Sequence, residues 1–134
     1  MTGDTVMSKV TLDLPMLPDA ELEASKTAMA IAESMRMSPD RIDEVGGAVV
    51  EACINAIMYS RSEKVFVTIE VLGGQDPEKL RITVQDTGVG FSPENPPRRP
   101  GGGYGLEIMR GLMDELEIHS VLGEGTTVVM SKLR

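Results

Sequence analysis

Apolar positions change period several times along the chain, and each change marks a new element. From Lys9 to Leu14 they alternate, with Val10, Leu12 and Leu14 on one side of a strand that Pro15 stops. Asp19 to about Met37 predicts a helix, with Leu22, Met29, Ala30 and Ala32 among its apolar positions. Ser38-Pro39 reads as an N-cap followed by proline at the first helical position, opening a second helix. Ile42, Val45, Val49, Ala52, Cys53, Ala56 and Ile57 recur along it at close to the helical period of about 3.6 residues. Two β-branched runs, Val65 to Leu72 and Leu80 to Val84, are joined through Gly73-Gly74-Gln75-Asp76-Pro77 and predict a hairpin. Thr87 to Gly103 is rich in glycine and proline and predicts a long loop. A helix from about Tyr104 to Leu116 follows, then strands at Glu117 to Val121 and Thr126 to Leu133 around Gly123-Glu124-Gly125. The order β-α-α-β-β-loop-α-β-β predicts a mixed sheet covered on one face by helices. At 134 residues, with no repeat or linker, the chain reads as a single domain over 1–134.

Composition removes several function classes. Apolar residues at 41% and charged ones at 25% exclude a disordered or fibrous chain. No run approaches the about 18 apolar residues of a membrane span, and the N-terminus lacks the basic-then-apolar pattern of a secretory leader. With 21 acidic against 13 basic residues, the net charge of -8 disfavours nucleic acid and anionic membranes as partners. Cys53 is the only cysteine, so no internal disulfide forms and a reducing cytoplasm is the expected compartment. His119 is the only histidine, which excludes His-rich metal centres and argues against a Ser-His-Asp arrangement.

Three segments carry chemistry. In Glu51-Ala52-Cys53-Ile54-Asn55, Glu51 and Asn55 lie one turn apart at the edge of the apolar stripe. A carboxylate and an amide oxygen so placed can hold a hydrated divalent cation, and the carboxylate can take a proton from an attacking hydroxyl. An exposed polar pair on an amphipathic helix has the same spacing. In Asp86-Thr87-Gly88-Val89-Gly90-Phe91, a strand ends in an acid and a Gly-x-Gly turn, which lets backbone approach a flat ligand while the carboxylate accepts from an exocyclic amine. Read structurally, the same residues make an ordinary turn. In Gly101-Gly102-Gly103-Tyr104-Gly105-Leu106, glycines lead into a helix whose exposed N–H groups and dipole favour phosphate, or serve only as a hinge. The chain has no Walker Gly-Lys-Ser/Thr, and the glycines do not follow a strand as the Rossmann fingerprint requires.

Together and in this order, the segments resemble the N, G1 and G2 boxes of the GHKL ATPases, and more closely the RsbW/SpoIIAB-type anti-sigma factor serine kinases of bacteria. The closer likeness rests on Glu51-Ala52-Cys53-x-Asn55-Ala56, Asp86-x-Gly88-x-Gly90-Phe91, Gly105-Leu106-x-Ile108-Met109-x-x-Leu112-Met113-Asp114 and Gly125-Thr126-Thr127. The resemblance implies a GHKL/Bergerat ATP-binding fold, an α/β two-layer sandwich (α+β) with a mixed, mainly antiparallel sheet, with ATP between helices and sheet under a lid at about 91–103. It implies that Glu51 is the general base for an acceptor serine, that Asn55 ligates Mg2+, and that Asp86 binds the adenine amino group. Gly88 and Gly90 would shape the pocket, Thr127, or its neighbour Thr126, would assist at the adenine, and Gly103, Gly105 and Leu106 would meet the phosphates. Arg99, with Arg98 in the lid, would offset γ-phosphate charge.

The implied activity is a Mg-ATP-dependent protein serine/threonine kinase that phosphorylates a STAS-type anti-anti-sigma protein and alternately binds a sigma factor. It would act in the cytoplasm with no direct nucleic-acid or membrane contact, and the anti-sigma branch commonly forms homodimers. Tyr59 stands where many relatives have histidine, Ser60-Arg61 replace the usual small or aromatic residues, and the lid is short and proline-rich. Two alternatives stand beside the kinase: a non-catalytic module that holds nucleotide to sequester a partner, and a detached histidine-kinase catalytic domain. No phosphoacceptor-histidine helix precedes the boxes, which argues against a complete sensor kinase. The ten methionines are expected mainly in core gaps, His119 as an ordinary strand residue and Cys53 as buried packing.

Overall fold

The computed structural model describes residues 5–15, 17–59, 61–91 and 105–134. Strand β1 (Thr5–Leu14) precedes helices α1 (Ala20–Ser34) and α2 (Pro39–Ile54), and α2 runs into a π-helical turn (Asn55–Tyr59). Strands β2 (Val65–Gly73) and β3 (Pro77–Asp86), helix α3 (Gly105–Leu112), and strands β4 (Glu115–Val121) and β5 (Gly125–Leu133) follow.

The five strands lie in the order β1-β2-β3-β5-β4, and every pairing is antiparallel. The sheet expected to be mixed therefore shows no parallel pair among the described residues. The reason is the last crossover: the chain passes from β3 to the edge strand β4, then turns back so that β5 fills the gap beside β3. Strand alternation sends Val65, Val67 and Ile69, Leu80, Ile82 and Val84, and Val128 and Met130 to the helix-covered face, all buried. Val45, Val49 and Cys53 of α2 and Met109 of α3 complete that core. Each large side chain so buried contributes about 1.5–3 kcal/mol.

The caps of α2 follow the sequence. Ser38 Oγ accepts from the Arg41 N–H at 3.4 Å and Pro39 begins the helix. Helix α1 is shorter than expected, ending at Ser34, and its buried stripe is Ala20, Ala24, Ser25, Ala28 and Ala32, with Leu22 exposed. Small residues prevail there because α1 and α2 approach closely; Ser25 Oγ donates to the Gly46 carbonyl at 2.9 Å.

Two further boundaries shift. Strand β1 starts at Thr5 because it pairs with β2 as far as Gly73. Helix α3 stops at Leu112, well before Leu116, because β5 captures the chain: Asp114 N–H donates to the Ser131 carbonyl at 3.0 Å and Glu115 pairs with Ser131. Lys132 secures this corner from β5. Its buried ammonium lies 3.0 Å from Glu44 Oε2 of α2 and donates to the Leu112 carbonyl at the end of α3 at 2.5 Å. Among the described residues no helix is long and apolar enough to cross a membrane.

Candidate functional site

A cleft opens where the end of α2, the end of β3, the start of α3 and the start of β5 meet. Ala52, Asn55 and Ala56 line it from α2 and its π-helical extension, a kind of turn that recurs at functional sites. Val84 and Asp86 come from β3, Gly90 and Phe91 from the loop beyond, Leu106 from α3, and Thr126 and Val128 from β5. The space between these walls, open solvent at its mouth included, is about 430 Å3. Its walls are mostly apolar, with three polar groups (Asn55, Asp86 and Thr126) set among them. That combination suits a flat, largely apolar ligand with a few hydrogen-bonding edges.

Asp86 is buried at the last position of β3. Its Oδ1 accepts from the Gly88 N–H at 2.9 Å and the Thr126 N–H at 3.2 Å, so one carboxylate oxygen ties the 86–91 loop to β5. Three more bonds hold that loop. Thr87 N–H donates to Ser62 Oγ at 3.0 Å, Phe91 N–H donates to Ser120 Oγ at 2.8 Å, and Gly123 N–H donates to the Val89 carbonyl at 2.7 Å. Gly90 has φ +62° and Gly125 has φ +111°. A Cβ at Gly90 would strike the Val121 carbonyl oxygen, and one at Gly125 the Asp86 carbonyl oxygen. The two loops therefore close on each other only because both positions are glycine.

Asn55, Asp86, Gly90 and Leu106 are brought together in the cleft lining. Glu51 sits half-buried on the last turn of α2, before Asn55 and outside that lining, and Gly88 turns the loop behind Asp86. Gly105 is buried at the first position of α3. Thr126, and not Thr127, lines the cleft: alternation along β5 puts Thr127 on the opposite face, opposite Gln85 and His119. Arg98, Arg99, Gly103 and the lid beyond Phe91 lie outside the described residues, as does Ser60.

The sequence reading missed Ser62, Ser120 and the close contact at Gly125. Ser120 left a signal: it is a polar residue at an inward position of a strand whose other inward residues are Leu116 and Ile118. Beside the cleft, burial and, less, the Glu21 charge push the Cys53 thiol up to about 12. Among the described residues no group of three or more His, Cys, Asp or Glu could cage a metal. Among the oxygens of the lining, Asp86 Oδ1 already accepts two backbone N–H groups, and an amide oxygen such as that of Asn55 suits Mg2+ held chiefly by ligand phosphates and water.

The family model for the histidine kinase-like ATPase domain matches residues 14–132. The chain is 28% identical over 137 residues to a serine-protein kinase RsbW of Bacillus cereus, covering 92% of this chain and 84% of that one. It is 29% identical over 143 residues to a serine-protein kinase RsbW of Listeria monocytogenes, covering 96% and 88%. The crystal structure of the RsbU and RsbW domains of a Mycobacterium tuberculosis protein superposes with a TM-score of 0.70 at 17% identity, over 95% of this chain and 33% of that chain. The histidine kinase domain of a blue-light activated histidine kinase from Erythrobacter litoralis gives 0.57 at 22% identity, over 84% and 59%. The fold is thus the GHKL two-layer sandwich.

Proposed function

We propose, from the premise that the chain belongs to the histidine kinase-like ATPase family, that it is an ATP-dependent protein serine kinase acting as an anti-sigma factor. It phosphorylates a STAS-type anti-anti-sigma partner, binds a sigma factor in alternation, and regulates transcription by partner switching in the cytoplasm. The name of its relatives, serine-protein kinase, supports the class of reaction. The observation that carries the reading is one cleft lined by both Asn55 and Asp86, with Glu51 a turn before Asn55.

In this reading the Asp86 carboxylate accepts from the adenine amino group, and Gly90 and Phe91 bound the base. Thr126 takes the part at the adenine first expected of Thr127. Asn55 would hold Mg2+, which when bound neutralises phosphate charge. Backbone N–H groups at the start of α3, around Gly105 and Leu106, favour the phosphates through the helix dipole, with Gly103 and Arg99 adding to them. Glu51 takes the proton from the acceptor serine as its oxygen bonds to the γ-phosphorus and the bond to the bridging oxygen breaks, releasing ADP. A base outside the cleft lining suits an acceptor that arrives on another protein. A homodimer, as in the anti-sigma branch, is compatible with this role.

Transfer from γ-labelled ATP in extract of the source cells, comparing wild type with Glu51→Gln, tests the reading. The expected outcome is an acid-stable, alkali-labile label on a small protein, reduced roughly 10²–10⁴-fold by the substitution while ATP still binds. An acid-labile label would identify a detached histidine-kinase catalytic domain. Nucleotide binding with no label would identify a partner-sequestering module.

A further inference from the structure

Ser120 touches the cleft only through others, yet it joins two of its walls. Its buried hydroxyl accepts from the Phe91 N–H at 2.8 Å and lies 2.7 Å from Thr126 Oγ1. The Gly125 carbonyl stands at 3.4 Å. A serine hydroxyl has one proton to give. Either hydroxyl can donate across the 2.7 Å contact, but O–H···O bonds fall at about 2.5–3.0 Å, so the Ser120 proton has a better acceptor in Thr126 than in the Gly125 carbonyl. Thr126 Oγ1, accepting from Ser120, then has its own proton to donate elsewhere, and Thr126 lines the cleft.

We infer that Ser120 is a positioning residue that sets base specificity by fixing Thr126 as a hydrogen-bond donor toward the ligand. The inference rests on the adenine-nucleotide reading of the cleft. A donor at Thr126 beside the acceptor carboxylate of Asp86 matches a purine edge that offers a ring-nitrogen acceptor next to an amino donor, as adenine does. A 6-oxopurine inverts both groups: its ring N1 carries a proton and its exocyclic oxygen accepts. Thr126 without Ser120 can turn its proton to other acceptors, and the discrimination relaxes.

The test measures equilibrium binding of three nucleoside triphosphates (ATP, purine riboside triphosphate and inosine triphosphate) to wild type, Ser120→Ala, Ser120→Thr, Thr126→Val and the double variant Ser120→Ala/Thr126→Val. Purine riboside triphosphate keeps the ring-nitrogen acceptor and lacks the amine, so it isolates the Thr126 contact. Ser120→Ala is expected to weaken ATP and purine riboside triphosphate alike, by about 3- to 10-fold. Inosine triphosphate should change less than twofold. Ser120→Thr should retain wild-type discrimination, and Ser120→Ala should add little to Thr126→Val, because one residue acts through the other. Equal weakening of all three nucleotides, or additive losses in the double variant, would assign Ser120 a packing role and overturn the inference while leaving the nucleotide reading intact. Wild-type protein that binds none of the three overturns both.

Discussion

Asp86 serves the structure first and, in the proposed nucleotide reading, the ligand as well. Its Oδ1 accepts two backbone N–H groups, from Gly88 and Thr126, so the carboxylate is held in place before any ligand arrives. A group held in advance loses little freedom on binding, which favours affinity. Cys53, two residues from both Glu51 and Asn55 and so on another face, does the opposite kind of work. It is fully buried, and its thiol is pushed up to about 12, first by burial and then by the Glu21 charge. The folded protein keeps this proton while an unfolded chain sheds it above the ordinary value of 9.0. The stability it contributes is therefore complete below pH 9 and is lost as the pH rises toward 12. Native protein at pH 8 should leave Cys53 unreacted with Ellman's reagent, and the thiol should appear only as urea unfolds the chain. Rapid stoichiometric reaction of the folded protein would refute its packing role.

At the scale of elements, the site depends on holding α2, α3 and β5 in register. Lys132 does this from the sheet, bonding Glu44 of α2 and the C-terminal carbonyl of α3, where a cation also complements the helix dipole. Arg41 and Asp114, 3.6 Å apart, brace the same corner, and Asp114 accepts the Leu133 N–H at 2.7 Å. Lys132→Met should lower stability by about 2 kcal/mol in urea unfolding, with the slope unchanged. The Glu44 side chain keeps 35% exposure, so its stranded charge remains partly solvated and the loss stays moderate. A loss under about 0.5 kcal/mol would mean that water replaces the latch at no cost. Neither the latch nor the early end of α3 was legible in the sequence, because both depend on which strand reaches Asp114 and Leu112 from a distance. The N-cap at Ser38 was legible, because a cap is decided within four residues.

The whole molecule is a sheet with helices on one face and a cleft between the layers. Ligand in that cleft bridges α2, α3, β3 and β5, so binding and folding are coupled. Mg-ATP at about 100 times its Kd should stabilise the protein by about 2.7 kcal/mol and raise the melting temperature by about 10 °C. Differential scanning fluorimetry with ATP and with the sugar-phosphate part alone separates base recognition from phosphate recognition. No shift with ATP would remove the nucleotide from the cleft. The net charge of -8 fits the same picture at this scale, since it leaves protein partners and a metal-bound nucleotide as better company than nucleic acid.

What the sequence by itself determined was local. The periods of Val65 to Leu72 and of the second helix, the turn chemistry at Asp86 and Gly90, and the spacing of Glu51 and Asn55 are written within a few residues of one another. Their order along the chain sufficed for the layers and for the family resemblance. Only the tertiary structure decided what depends on residues far apart: that every strand pair among the described residues is antiparallel, that Thr126 and not Thr127 faces the cleft, and that Gly125 lies against the Asp86 carbonyl. The physical reason is register. Side chains alternate with a period of two, so which of two neighbouring threonines enters the site is set by the hydrogen bonds between β5 and β3, and those bonds join residues about forty positions apart.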